Sequence, residues 1–202
     1  ESDLNRCKLL ETLTEPFGAV PVLIMRAASA AEIVRRGAKT VHIELTGECY
    51  DGTSQNVCAT IPGTDKPSEV ITLGGHYDSV YFSSGVHDNL SGSVIVLELL
   101  RYFAAHPPRR TLRFCWFGSE EQGLLGSKAY VKAHADELKD CVAMLNFDVA
   151  APTLGSNHLV TLATDDALHY VAGVLREAGY GVRAKQDTYS SDCIPFADNG
   201  VP

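Results

Sequence analysis

The stretch from Ile71 to Ser93 constrains this chain most. It reads ITLGGHYDSV and then YFSSGVHDNLSGS. An apolar run ends in Gly74-Gly75 and delivers His76 and Asp78, two residues apart; a Gly/Ser loop then delivers Asp88 at the entrance of a long apolar-periodic segment. A strand closing on His-x-Asp, with a carboxylate at the following helix entrance, suits a metal site at the carboxyl edge of a sheet, where open α/β sheets place their ligands.

The rest of the chain supplies such a sheet. Continuous apolar runs at Glu69–Gly74, Thr111–Phe117 and Cys141–Phe147 read as strands buried on both faces. Leu159–Ala163 reads as a fourth strand of this kind, and Asn56–Ile61 as a strand ended by Pro62-Gly63. Between them, Ser91–His106 carries Val94, Leu97 and Leu100 at helical spacing and stops at Pro107-Pro108. Further helices are expected from Ala129 to Leu138 and from Asp166 to Gly179. The order strand, helix, strand, helix, strand, strand, helix predicts an α/β fold, with a mixed, largely parallel sheet sandwiched between helices. Upstream, residues 1–18 read as weakly helical, Ala19–Met25 as a short strand, Ala28–Arg36 as a small helix and Thr40–Thr46 as an alternating strand.

The totals agree with one globular domain, or one domain plus a fragment: 202 residues, 45% hydrophobic and 21% charged. A net charge of -8 argues against nucleic acid or an anionic membrane as the main partner. No apolar run is long enough for a membrane span, and no secretory leader is read. The six cysteines form no Cys-x-x-Cys pair; Cys115 and Cys141 lie in apolar runs as buried thiols, and Cys49 and Cys58 flank a turn as one candidate disulfide.

Three expected strands thus end in acidic or imidazole groups: His76/Asp78, Glu120/Glu121 and Asp148, with Asp88 joining from a helix entrance. Taken singly, each has an ordinary alternative. His76 suits a core histidine, Asp88 a helix-entry carboxylate, and Glu120-Glu121 a solvated first turn favoured by the helix dipole. Taken together, carboxylates gathered without matching Lys or Arg repel one another, and a divalent cation removes the conflict. One imidazole among several carboxylates suits zinc or, less selectively, manganese or cobalt.

The segments GGHYDS, GVHDNLSG, FGSEEQGLLGS and NFD, in this order and rough spacing, resemble the co-catalytic dizinc aminopeptidase family, whose relatives include glutamate carboxypeptidase II and the glutaminyl-peptide cyclotransferases. The resemblance covers about residues 54–202. It implies a zinc-dependent exopeptidase acting on peptide substrates, most simply an aminopeptidase. It implies that His76 binds one zinc with Asp78 orienting its ring, and that Asp88 bridges two metals with a strained peptide bond to Asn89. It further implies that Glu121 binds the other zinc, that Asp148 completes one of the two ligand sets, and that Glu120 is the general base. His87 stands beside Asp88 but is not a ligand position in the family, and the remaining histidines show no partner pattern.

Three departures accompany the match. The family's last metal ligand, a histidine beyond the SDxxPF stretch, is not reached before Pro202, so the expected zinc peptidase domain over 51–202 is read as truncated at its C-terminus. Cys193 stands where many members have histidine, which raises the prospect of a thiol near the metal. The segment 1–50 resembles the tail of a protease-associated domain with its linker. The same fold also hosts glutaminyl cyclisation, carboxypeptidase activity, and binding modules that have lost their metals. A secreted or cell-envelope location is expected from the family alone.

Overall fold

The computed structural model describes residues 4–6, 23–44, 51–81, 83–150, 156–187 and 190–202. The chain divides into two compact units, Glu1–Gly52 and Thr53–Pro202. In the first, strands β1 (Leu4–Arg6) and β2 (Leu23–Met25) pair antiparallel, and helix α1 (Ala27–Arg35) follows. The weak helix expected over 1–18 is thus a strand where it is described, and the rest of that segment lies outside the described residues. The strand expected over Thr40–Thr46 is absent from 40–44: Val41 and Ile43 are exposed and meet no partner strand among the described residues. Its last two residues lie outside them.

The second unit is built on a four-stranded sheet of order β3-β5-β4-β6. These strands are β3 (Val57–Ile61), β4 (Lys66–His76), β5 (Arg110–Phe117) and β6 (Cys141–Asn146). β4 lies between β5 and β6 and is parallel to both, whereas β3 runs antiparallel to β5. Helix α2 (Ser91–Ala105) follows β4, and helix α3 (Leu125–Ala133) with a 3-10 turn (Ala135–Asp140) follows β5. The crossover expected as one helix to Leu138 is therefore two pieces, broken at His134.

Alternation along β5 sorts the core into two layers. Leu112 and Phe114 pack with Leu73 and Val96, and with Leu99, Phe103 and Phe147 around them. Cys115 and Phe117 face the other way, onto Tyr130, Val131, Met144 and Phe196. Each layer covers one face of the sheet, which explains why β4 and β5 read as unbroken apolar runs rather than alternating ones.

Beyond β6, β7 (Asn157–Thr161), helix α4 (Asp165–Glu177) and β8 (Val182–Gln186) form a separate parallel pair, and a short helix α5 (Cys193–Asp198) follows. The strand expected near Leu159 therefore belongs to a second sheet. Thr164 caps α4 by accepting from the Ala167 amide at 3.3 Å. Alongside β6, the Met144 amide donates to the Pro202 carbonyl at 2.7 Å, and Val201 is buried. No helix among the described residues is long and apolar enough to cross a membrane.

Candidate metal centre

Parallel strands end at one edge, so β4, β5 and β6 carry their terminal residues to the same place. Two glycines let them close up. A Cβ on Gly75, the residue before His76, would lie 2.8 Å from the Phe147 carbonyl oxygen, and one on Gly92 would lie 2.0 Å from the same atom. Phe147 immediately precedes Asp148. The end of β4, the start of α2 and the end of β6 therefore meet at a single carbonyl, an approach that only glycine permits.

The Asn89 side chain ties two of these segments, the start of α2 and the end of β6. It donates to the Phe147 carbonyl at 2.9 Å and accepts from the amides of Gly92 (3.0 Å) and Val149 (3.3 Å). The Asp88–Asn89 peptide bond is cis. Ser93 donates to the His76 carbonyl at 2.7 Å, anchoring α2 to the end of β4.

His76 sits at the focus, 1% exposed. Its Nε2 lies 3.2 Å from Asp88 Oδ1, 3.4 Å from Asp148 Oδ1 and 3.9 Å from Glu120 Oε2. Nδ1 lies 3.1 Å from the Asp78 carbonyl and 3.5 Å from the Asp78 carboxylate. That carboxylate does a second job: it accepts the backbone amides of Glu120 (3.0 Å) and Glu121 (3.2 Å). Asp78 thus fixes both the imidazole and the turn that presents the glutamates. Asn56 supports this turn from behind, accepting from the Gly118 amide at 3.1 Å and donating to the Gly126 carbonyl at 2.9 Å.

Asp148 is held from the C-terminal segment. Ser191 donates to its Oδ2 at 2.7 Å and accepts from Asn146 at 2.7 Å. Asp192 beside it is fully buried, and neither of its carboxylate oxygens has a hydrogen-bond partner. The Ser127 hydroxyl lies against Asp192 but donates to the Leu124 carbonyl at 3.4 Å. Burial pushes the Asp192 carboxyl up to about 6, and the Asp148 charge adds to the shift.

The electrostatics are those of a negative cluster around one imidazole. Burial alone would lower the His76 pKa, but Asp148, Glu120 and Asp192 outweigh it and raise the value to about 9. Burial, reinforced by Asp192, Asp148 and Glu121, lifts Glu120 to about 7. Glu121 is raised by burial and by Asp88. Asp148 is lowered: burial opposes its charge, but His76 and Ser191 stabilise it more. No salt bridge to Lys or Arg relieves these carboxylates among the described residues.

Two groups of three could hold a metal ion, His76–Asp88–Asp148 and His76–Glu120–Glu121, each with its donor atoms within 4.8 Å of one another. Glu121 Oε1 and Asp148 Oδ1 are buried without hydrogen-bond partners. Buried carboxylate oxygens left bare, with hard donors and one imidazole converging on them, fit a divalent cation of the zinc class.

All six residues singled out in the sequence are therefore brought together. Cys193 is not. Its thiol packs against the Phe117–Tyr130–Phe196 cluster, joins neither group, and is pushed up to about 11 by burial. His87 stays out of both groups as well. The pairing weighed for Cys58 is not formed, since its thiol is free, and Cys49 lies outside the described residues. Sequence reasoning gave no role to Asn89, Ser191, Asp192 or Asn56. The signals present were the Asn following Asp88 and the Ser-Asp of the SDxxPF stretch.

A family model for peptidase family M28 matches residues 56–202. The chain belongs to peptidase family M28. It is 38% identical over 157 residues to leupeptin-inactivating enzyme 1 of Streptomyces exfoliatus, covering 74% of this chain and 35% of that one. Aminopeptidase YwaD of Bacillus subtilis is 34% identical over 156 residues, covering 74% of this M28 chain and 34% of its own length. Among solved structures, BSAP, a zinc aminopeptidase from Bacillus subtilis, superposes with a TM-score of 0.65 at 29% identity, covering 72% of this chain and 38% of that one. The chain thus spans about a third of the length of these relatives.

Proposed function

We propose that this M28 chain contributes the metal centre and the proton-transferring carboxylate of a zinc-dependent aminopeptidase that hydrolyses the N-terminal peptide bond of its substrates. One observation carries the reading: a buried imidazole is shared by two groups of carboxylates, delivered from parallel strand ends and, for Asp88, from the turn that enters α2. The relatives named aminopeptidase and zinc aminopeptidase support it.

In this reading His76, Asp88, Asp148 and Glu121 hold the metal. Zinc, when bound, supplies a Lewis acid for the scissile carbonyl and acidifies the attacking water. Glu120 takes the proton of that water and passes it to the leaving amine nitrogen. In the metal-free chain its burial just beyond β5 raises its proton affinity above the ordinary carboxylate value, the direction that suits a group that accepts and then returns a proton. Asp78 holds the Glu120 and Glu121 amides, so the two side chains keep fixed exits from the turn. Ser191 keeps Asp148 oriented through the oxygen turned away from His76.

The test is zinc content and hydrolysis of amino-acid p-nitroanilides by the full-length protein, before and after chelation and zinc return. Activity that vanishes with zinc and returns with it supports the reading. A protein that binds no zinc, or that only cyclises an N-terminal glutamine peptide, removes it.

Two further outcomes are expected. Asp78→Asn places an amide NH2 where one backbone N–H now finds an oxygen; zinc affinity and turnover fall by about 10–100-fold, as for other partners of metal ligands. Unchanged chelator competition and kcat would show that Asp78 does not orient the site.

The second outcome concerns the metal-free protein. A pKa raised on folding gives stability that is fully present below the unfolded value and lost as pH climbs through the folded one. For His76 the loss runs from about 6.5 to about 9, and for Glu120 from about 4.5 to about 7. Both act in the same direction, and the His76 part alone is worth roughly 3 kcal/mol. With chelator present, the melting temperature falls between pH 5.5 and pH 9, and the gain on adding zinc grows over the same range because the His76 proton no longer competes. A flat profile in chelator would contradict this cluster electrostatics.

A further inference from the structure

We propose that Cys58 and Cys115 form a redox-modification site, in which the exposed Cys58 thiol reacts with a small disulfide of the glutathione class and Cys115 resolves the product to an intramolecular Cys58–Cys115 bond. The proposal rests on the thiol geometry and does not depend on the peptidase reading.

The two cysteines lie directly opposite each other in the antiparallel β3–β5 ladder, and their sulfurs are 3.6 Å apart, both as free thiols. Opposed residues in such a ladder have Cα atoms about 4.5–5.5 Å apart, inside the span of about 4.4–6.8 Å that disulfides bridge. Closure needs the sulfurs to approach by rotation about the side chains, with no strand displaced.

The two thiols are unequal in a way that assigns their roles. Cys58 is exposed on β3, which pairs with β5 on one side and with no strand on the other among the described residues. Cys115 is 0% exposed, packed with Phe117 and Tyr130. A reagent meets Cys58 first, and a charge on sulfur is better solvated there. Contact with Cys115, aided by the Arg113 guanidinium, brings the Cys58 thiol down to about 7 despite partial burial, while Cys115 is raised by Cys58 and by burial. Cys58 is therefore the attacking thiolate, and Cys115 keeps its proton until the second step.

The chemistry balances. The Cys58 thiolate attacks one sulfur of the small disulfide, that S–S bond breaks, and one thiolate leaves and takes up a proton. Cys115 then attacks the Cys58 sulfur, its proton passing to the second leaving thiolate. The two protein thiols are oxidised by two electrons and the small disulfide is reduced to two thiols. The new bond lies two residues from Asn56, which supports the turn bearing Glu120 and Glu121.

The experiment treats the full-length protein with oxidised glutathione and maps the cysteines by mass spectrometry. Both thiols should disappear together, with a cross-linked peptide joining positions 58 and 115. In Cys115→Ser the glutathionyl group should persist on Cys58, at about tenfold or more the level held by the wild type, because no resolving thiol remains. In Cys58→Ser, Cys115 should stay reduced. A mixed disulfide that persists on Cys58 in the wild type would overturn the proposal. So would reaction of Cys115 in Cys58→Ser at the wild-type rate, or a cross-link to another cysteine. If Cys115→Ser does not fold, the wild-type peptide map alone decides.

Discussion

Replacing Glu120 by Gln in the full-length protein lowers kcat on an amino-acid p-nitroanilide by about 10²- to 10⁴-fold, the usual contribution of a positioned general base. Gln keeps the shape of the side chain and the backbone amide that Asp78 accepts. It cannot take a proton. Zinc content should therefore survive while turnover collapses, with KM little changed. The geometry makes this a discriminating experiment, because Glu120 Oε2 lies 3.9 Å from His76 Nε2 and belongs to one of the two candidate ligand groups. If the variant loses zinc together with activity, Glu120 is a ligand and not the base. If it keeps both, another group moves the proton.

Gly92→Ala carries the largest structural effect. The added Cβ would stand 2.0 Å from the Phe147 carbonyl oxygen and 2.5 Å from Asn89 Oδ1. The first is backbone at the end of β6, and the second is the side chain that ties Asp88 to Val149, so neither yields without moving a metal-binding segment. Overpacking of this kind costs about 3 kcal/mol or more, a drop of roughly 10 °C in Tm for a domain of this size. Zinc binding should fall with it, since Asp88 and Asp148 are pushed apart. Gly173→Ala is the control: it lies within helix α4 with open space around it, and there alanine should raise stability by up to about 1 kcal/mol. A Gly92→Ala protein that melts and binds zinc like the parent would remove the three-segment junction from the account.

The buried strands and the residues at their ends were legible because each carries its signal locally. An apolar run followed by His76 and Asp78, or by Glu120 and Glu121, says both where the strand stops and what it delivers. The supporting groups were not legible in this way. Asn89 bonds to Phe147, 58 residues along, and Ser191 bonds to Asp148, 43 residues back, so their roles exist only after β4, β5 and β6 are assembled. Strand β8, V-R-A-K-Q, was missed because it is largely polar and lightly buried, and among the described residues it pairs only with β7. The opposite error at 40–44 has the same origin: Val41 and Ile43 alternate correctly, but no described strand pairs with them, and alternation alone does not make a sheet.

The distances along the chain between the site's parts also set the order in which the site can be completed during synthesis. His76 and Asp88 are neighbours in sequence, Glu120 and Glu121 arrive with the next crossover, and Asp148 with the one after. Its second oxygen has no partner until Ser191 emerges. A ribosome must therefore deliver more than a hundred residues after His76 before the negative cluster is complete. Until then the unpaired carboxylates repel one another and nothing local favours their meeting. Burial of the β4–β5–β6 core supplies the free energy that holds these groups together against their repulsion.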